Sequence, residues 1–395
     1  MKPVYLDNNA TTAVAPEVFE AMRPYLTEFY GNPSSMHTFG GQIHRKIEDA
    51  RGSVSGLLGA EPEEIIFTSC GTESDNTAIL SAIESVPGKR HIITTRVEHP
   101  AVRSFCKHLG RKGYRITFLP VNHQGQLNLD DFIKALDEDT VLVTIMYANN
   151  EIGNIYPIEK IGAILRERQI LFHTDAVQVM GKIPVDLKTL PVDMLSLSGH
   201  KLHAPKGIGA LYVRKGTRFH PYLIGGHQEK GRRAGTENVA SIIGLGKACT
   251  LATGNIDRES KQLSKLRDKL ETSLLKICPD SRVNGDVTSR LPNTTNLSFE
   301  YVEGEAILLR LNEYGICASS GSACSSGSLE PSHVLRAMGV PFTAIHGSIR
   351  FSLSRYNTGE EIDKVIEIVP KIIKELRLLS PFSRDNTGKK IACTP

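Results

Sequence analysis

Between residues 60 and 215 the chain alternates short apolar runs with stretches of helical periodicity, and this alternation restricts the fold more than any other feature. The runs fall at 64–69, 91–95, 116–121, 141–147, 170–174, 194–197 and 208–213, each the length of a buried strand. One intervening stretch, 157–168, opens with Pro157, which suits a first helical turn, and places Ile158, Ile161 and Leu165 on one face. Strands alternating with helices predict an α/β domain built on a mostly parallel sheet of seven strands.

The pattern breaks at Thr253-Gly254-Asn255. A charged helix candidate follows from 260 to 277, then an apolar run at 295–299, a Gly/Ser-rich loop at 319–328 and a second helix candidate at 359–378. Residues 15–256 are expected to form the large, ligand-holding domain. Residues 1–14 and 257–380 are expected to form a smaller α+β domain that carries the Gly/Ser loop. Residues 381–395 read as a polar tail.

Charge and composition remove several classes of function. The 395 residues carry a formal charge of only +4 and no block of five like charges, so nucleic-acid or membrane-surface binding is not expected. The basic stretch Lys230-Gly231-Arg232-Arg233 is short enough to be a solvated loop. The first residues lack the apolar core of a signal peptide, and no run approaches the ~18 apolar residues of a membrane span. Seven scattered cysteines without a C-x-x-C pair suggest neither a disulfide framework nor a zinc site. A reducing cytoplasm is the expected location.

In open α/β sheets ligands bind beyond the carboxyl ends of the strands. Polar residues stand at five of those ends: Gly71-Thr72, His99, Asn149-Asn150, Asp175 with Gln178, and Ser198-Gly199-His200-Lys201. Each alone has a structural reading, with Asp175 and Thr72 as helix caps and His99 as a satisfied core histidine. Together they match the needs of an aldehyde cofactor of the pyridoxal 5′-phosphate type. Such a cofactor needs a lysine to condense with it and a carboxylate to keep its pyridine nitrogen protonated. Lys201 and Asp175 are the candidates. A phosphate needs backbone N–H groups at a helix start, and Gly71-Thr72 opens a helix straight after a strand. His99 can stack on a ring and relay protons near neutral pH. A buried lysine is costly unless it is paired, neutral or covalently engaged, and this makes Lys201 hardest to explain as structure. Neither G-x-G-x-x-G nor G-x-x-x-x-G-K-[ST] occurs, so nucleotide sites are not supported.

Cys324 lies in a segment, 318–329, that is nearly all small residues. Such neighbours cannot bury a thiol, so it is either incidental or a nucleophile on a moving loop. Cys70, Cys106, Cys249, Cys278 and Cys317 sit beside apolar or helical sequence and read as structural.

With these residues in view, the chain resembles the cysteine desulfurases of the NifS/IscS group, class V members of the fold-type I pyridoxal phosphate enzymes. The resemblance covers residues 3–380. Its segments are Tyr-Leu-Asp-Asn-Asn-Ala-Thr-Thr (5–12), Gly-Asn-Pro-Ser-Ser-x-His (31–37), Gly-Thr-Glu-Ser-Asp (71–75) and Val-Glu-His-Pro-Ala-Val (97–102). They continue through Asn-Asn-Glu-Ile-Gly (149–153), Asp-Ala-Val-Gln (175–178), Ser-Gly-His-Lys (198–201) and Arg-Arg-Ala-Gly-Thr-Glu-Asn (232–238). The last are Ser-Ser-Gly-Ser-Ala-Cys (319–324) and Arg-Phe-Ser-Leu-Ser-Arg (350–355), while Gly-Gly-His-Gln-Glu (225–229) is most like the NifS branch of nitrogenase maturation.

The resemblance implies a role for each matching residue. Lys201 bonds the cofactor and moves the proton at the substrate Cα. Asp175 pairs with the ring nitrogen, Asn150 and Gln178 contact the ring oxygen and substrate side, and His99 stacks and acts in acid–base steps. Gly71, Thr72, Ser198 and His200 hold the phosphate, and Thr236 reaches the phosphate of a neighbouring subunit, which implies a homodimer. Arg350 clamps the substrate carboxylate. Cys324 is the nucleophile that receives sulfur from L-cysteine, releasing L-alanine and passing the sulfur to an iron–sulfur scaffold protein; it is also the candidate for transient cluster ligation. Two alternatives stay open: another pyridoxal phosphate aminotransferase or lyase, and a non-catalytic sulfur-carrier or iron–sulfur assembly protein.

Overall fold

The computed structural model of the protein describes residues 3–320 and 331–380. After a short strand β1 (Val4–Tyr5), the seven apolar runs become β2 (Ile65–Thr68), β3 (His91–Thr95), β4 (Arg115–Leu119), β5 (Thr140–Thr144), β6 (Leu171–Asp175), β7 (Met194–Ser198) and β8 (Gly209–Val213). They form one sheet in the order β2-β8-β7-β6-β5-β3-β4. Pairing is parallel from β7 to β4, whereas β8 runs against both of its neighbours. Only residues 199–208 separate β7 from β8, too short a link for the crossover that a parallel pair requires.

Alternate side chains of each strand enter opposite layers. Ile65, Phe67, Ile93, Val143, Phe172 and Leu195 pack with the helices Thr38–Leu58, Ile158–Glu167 and Val239–Thr253. Ile66, Ile92, Leu142, Met194 and Leu211 pack with Gly71–Ser85 and Pro100–Arg111. Burial on both faces is why these strands read as continuous apolar runs rather than polar–apolar alternation. No single helix among the described residues is long and apolar enough to cross a membrane.

A second core lies around β9 (Ser281–Val283), β10 (Thr294–Phe299) and β12 (Ser348–Ser352), an antiparallel sheet in the order β12-β10-β9. The helices Ile256–Ile277, Gly304–Glu313 and Gly359–Leu379 cover it through residues such as Leu270, Leu274, Ile307, Val365 and Ile372. Val4 and Leu6 belong to this core, because β1 pairs in parallel with β11 (Ile316–Cys317). The chain then crosses to the large sheet: the Thr12 N–H donates to the His200 carbonyl at 2.9 Å and the Ala15 N–H to that of His203 at 3.0 Å. Residues 7–15 therefore strap the small core to the edge of the large sheet where β7 ends.

A buried ion pair pins the loop that contains the basic stretch. Arg51 donates from Nη1 and Nη2 to the two carboxylate oxygens of Glu229 at 2.7 and 2.8 Å, and the Phe67 N–H donates to the same carboxylate at 2.9 Å. Glu229 and Lys230 both adopt left-handed backbone, with φ of 49° and 58°, a conformation that persists only where surrounding contacts enforce it. Arg51→Ala leaves a buried carboxylate without its partner. We expect it to destabilise the fold by about 3–5 kcal/mol, read as a lower denaturant midpoint with an unchanged slope.

Candidate active site

The strands β2, β6 and β7 point the same way, so their carboxyl ends open on one edge of the sheet, where β8 begins. A cavity of about 380 Å³ lies at that edge, within the range of cofactor sites. Gly71, Thr72, His99, Asn150, Asp175, Gln178, Ser198, His200, Lys201 and Arg350 all line it.

At one end the helix Gly71–Ser85 starts without a side-chain cap, which leaves its first N–H groups available to an anion. A Cβ on Gly71 would lie 2.8 Å from Val177 Cγ2, and one on Gly209 would lie 2.8 Å from the Leu197 carbonyl oxygen. Glycine at both positions lets the helix start close against the strand ends. The Thr72 and Ser198 hydroxyls and the His200 ring complete this end of the cavity. Burial, then Lys201, lowers His200 to about 4, so its ring is neutral.

Lys201 follows β7 in a short 3-10 turn, Gly199–Lys201. Its Nζ donates to the carbonyl oxygens of Asn9 at 2.7 Å and Ala10 at 2.6 Å. Asp175 ends β6, and its Oδ1 accepts the Val177 N–H at 2.9 Å. Burial raises the Asp175 carboxyl to about 6, opposed by that N–H and by Lys201. Asp75, one turn into the helix, is raised further, first by burial and then by Asp175. Two carboxyls buried together cannot both be charged. Burial and the neighbouring Asp175 favour the protonated form at Asp75, whereas the Val177 N–H and Lys201 favour charge on Asp175.

His99 caps the helix Pro100–Arg111, its Nδ1 accepting the Ala101 N–H at 3.2 Å. The proton therefore sits on Nε2. Burial, then Lys201, lowers this ring to about 4. The expectation of a histidine titrating near neutrality is corrected accordingly: the ring is neutral there and offers an Nε2–H.

Arg350, on β12, is only 2% exposed. Its Nη2 donates to Asp7 Oδ1 at 2.6 Å and its Nη1 to the Asn150 carbonyl at 3.0 Å, while its buried Nε has no hydrogen-bond partner among the described residues. Arg350 therefore reaches the cavity lining from the small core, held in place by Asp7 and Asn150. Thr236 does not line the cavity; it is exposed, on a loop that Arg233 ties to Glu73 at 2.9 and 3.2 Å. Cys324 lies outside the described residues. Ser319, where its loop departs, pairs with Arg350, the Arg350 N–H donating to the Ser319 carbonyl at 2.6 Å.

Several residues at the site carried no role in the sequence reading. Asn9 and Ala10 line the cavity and hold Lys201. Asp75 lines it too, and its place one turn after Gly71 was the signal available. Cys70, read from its neighbours as structural, is half-buried and lines the cavity, because it is the residue from which the helix springs at the strand end.

These groups fit pyridoxal phosphate: an uncapped helix start for its phosphate, a buried carboxylate for a protonated ring nitrogen, and an amine and an arginine lining the same cavity. Comparison with known proteins agrees. The family model described as Aminotransferase class-V matches residues 4–365. A cysteine desulfurase of Trichormus azollae is 64% identical over 388 residues, covering 98% of this chain and 97% of its own. The cysteine desulfurase NifS of Azotobacter vinelandii is 57% identical, covering 98% of this chain and 96% of its own. A solved NifS-like protein superposes with a TM-score of 0.89 at 41% identity, covering 95% of this chain and all of its own.

Proposed function

The chain belongs to the aminotransferase class-V family, and we propose that the cavity at its strand ends is where it takes sulfur from L-cysteine. The chain is a pyridoxal phosphate-dependent cysteine desulfurase that converts L-cysteine to L-alanine and supplies sulfur for iron–sulfur cluster assembly. What supports the site assignment is one observation: Lys201, the charge-bearing Asp175 and an uncapped helix start share a single cavity.

Gly71, Thr72, Ser198 and His200 would hold the phosphate, Asp175 the ring nitrogen, Asn150 and Gln178 the ring oxygen and substrate side, and His99 the ring face. When bound, pyridoxal phosphate supplies an electron sink beside the substrate Cα. Arg350, which lines the cavity, would clamp the substrate carboxylate. The Lys201 amine takes the proton from Cα and can return it to carbon. The Cys324 thiolate attacks the substrate sulfur: an S–S bond forms, the Cβ–S bond breaks, and its electron pair stays on the carbon fragment, which gains a proton and leaves as alanine. Only the thiolate is nucleophilic, so Cys324 must lose its proton before it attacks; the neutral His99 ring, with its proton on Nε2, would act from the donor side of the acid–base steps. From Ser319, Cys324 is five residues away, a reach of about 17 Å at most.

Thr236 would reach the phosphate of a second copy in a homodimer. The large apolar side chains that one chain leaves exposed at Phe19, Leu26, Tyr30, Met36 and Ile224 support that assembly. The division into residues 15–256 and residues 1–14 with 257–380 then separates the cofactor-holding unit from the unit bearing the cysteine loop. The acceptor is an iron–sulfur scaffold protein, the location the cytoplasm, and the NifS-like segment at 225–229 points to nitrogenase maturation.

Mass spectrometry after a single turnover with L-cysteine tests this reading. One added sulfur on the Cys324 peptide and one alanine per site are expected. Alanine with no sulfur on Cys324 would favour another lyase or aminotransferase, and colourless protein unable to take up the cofactor would favour a sulfur carrier. Asp175→Asn is expected to lower steady-state alanine formation about 10²–10³-fold, the scale of losing one preorganised charge, while Lys201 still traps the cofactor with borohydride.

A further inference from the structure

Lys182 is a second buried lysine, 8% exposed, that no step above uses. Its Nζ donates to two oxygens of one residue, the Gln178 carbonyl at 2.9 Å and Gln178 Oε1 at 3.0 Å. Among the described residues it forms no ion pair with a carboxylate. The charged and titratable groups that it feels, or that feel it, are Lys201, Arg350, His200 and His203, and all are basic. Burial beside Lys201 and Arg350 makes this amine expensive to charge, and a methionine would fill the same space without that cost.

What the ammonium does here is remove an ambiguity. A glutamine amide can present either its oxygen or its nitrogen to a given neighbour. Lys182 can only donate, so it captures Oε1 and turns Nε2 the other way, where it donates to the Asn9 carbonyl at 3.0 Å. That same carbonyl accepts from Lys201 Nζ at 2.7 Å. A continuous set of hydrogen bonds thus runs from Lys182 through Gln178 and Asn9 to the reactive amine.

We propose that Lys182 is a positioning residue that locks the Gln178 amide with its N–H toward the Asn9 carbonyl and places a positive charge behind the Lys201 amine, biasing that amine toward its neutral, reactive form. The proposal rests on Lys201 being the amine that bonds the cofactor. Burial, then Lys201 and Arg350, lowers Lys182 to about 7, so the two amines lie within electrostatic reach of one another.

The test is a visible-absorption pH titration of the Lys201-linked cofactor in the holoenzyme. Removing a nearby positive charge stabilises the protonated linkage, so Lys182→Met should move its titration upward by about one pH unit, a tenfold change in proton affinity. Lys182→Arg, which keeps charge and donors, should recover more than half of that shift. A Lys182→Met titration that coincides with wild type overturns the proposal, as does a wild-type-like curve for Lys182→Gln should the methionine variant not fold. Failure of both variants to fold also overturns it, because it makes Lys182 a residue of the core. Wild-type protein with no titrating colour would instead remove the cofactor assignment itself, an outcome distinct from all of these.

Discussion

Lys201→Ala is expected to abolish the colour that borohydride fixes to the chain and to lower alanine formation from L-cysteine at least ~10⁴-fold. The size follows from two losses in one residue, the covalent attachment and the base at Cα. The structure adds a complication. Lys201 Nζ is held by the Asn9 and Ala10 carbonyls, so alanine there also removes the Lys201 donor from the Ala10 carbonyl, while the Asn9 carbonyl keeps its bond from Gln178 Nε2. That lost partner costs about 1–3 kcal/mol, and a lower melting temperature is expected alongside the lost activity. Lys201→Arg separates the two effects. Arginine can still donate to both carbonyls, but it stays protonated and cannot condense or act as a base. It should melt near wild type and be as inactive as the alanine variant. Alanine formation within tenfold of wild type by either variant would sink the assignment of Lys201.

Cys324→Ala is expected to do the reverse: cofactor colour and its pH titration stay intact, and persulfide formation and sulfide release fall about 10⁴–10⁶-fold, the scale of removing a catalytic nucleophile. The difference arises because the cofactor-holding residues sit on the large sheet, whereas the cysteine loop leaves from beside Arg350 in the small core, where Ser319 pairs with it. Substrate binding should survive too, so L-cysteine should still perturb the absorbance of the variant. A Cys324→Ala enzyme releasing sulfide at the wild-type rate would rule out the persulfide route. One that loses its colour would place Cys324 among the groups that hold the cofactor.

The seven strands and the groups at their ends were legible because both are local patterns. A strand buried on two faces must be apolar at nearly every position, and the residue that follows it must stand at the edge of the sheet. Gly71, Asp175 and Lys201 could be placed in one site from that rule alone, since parallel strands present their carboxyl ends together. Short links were legible only in part: the ten residues after β7 force β8 to turn back, which determines that the start of β8 joins the same edge.

What tertiary structure alone decided are contacts between segments far apart in the chain. Asn9 meets Lys201 across 192 residues, Asp7 meets Arg350 across 343, and Arg51 meets Glu229 across 178. Nothing in the composition of the segment at 7–12 says that it straps two cores, because a polar run looks the same whether solvent or a buried amine receives its carbonyls. The neutral state of His99, the raised Asp75 carboxyl and the lowered Lys182 amine are also products of burial, a property of the packed assembly rather than of any residue type. The sequence by itself determined which side chains could carry this chemistry; the packing decided which protons they hold, because desolvation and neighbouring charge act only once distant segments are brought together.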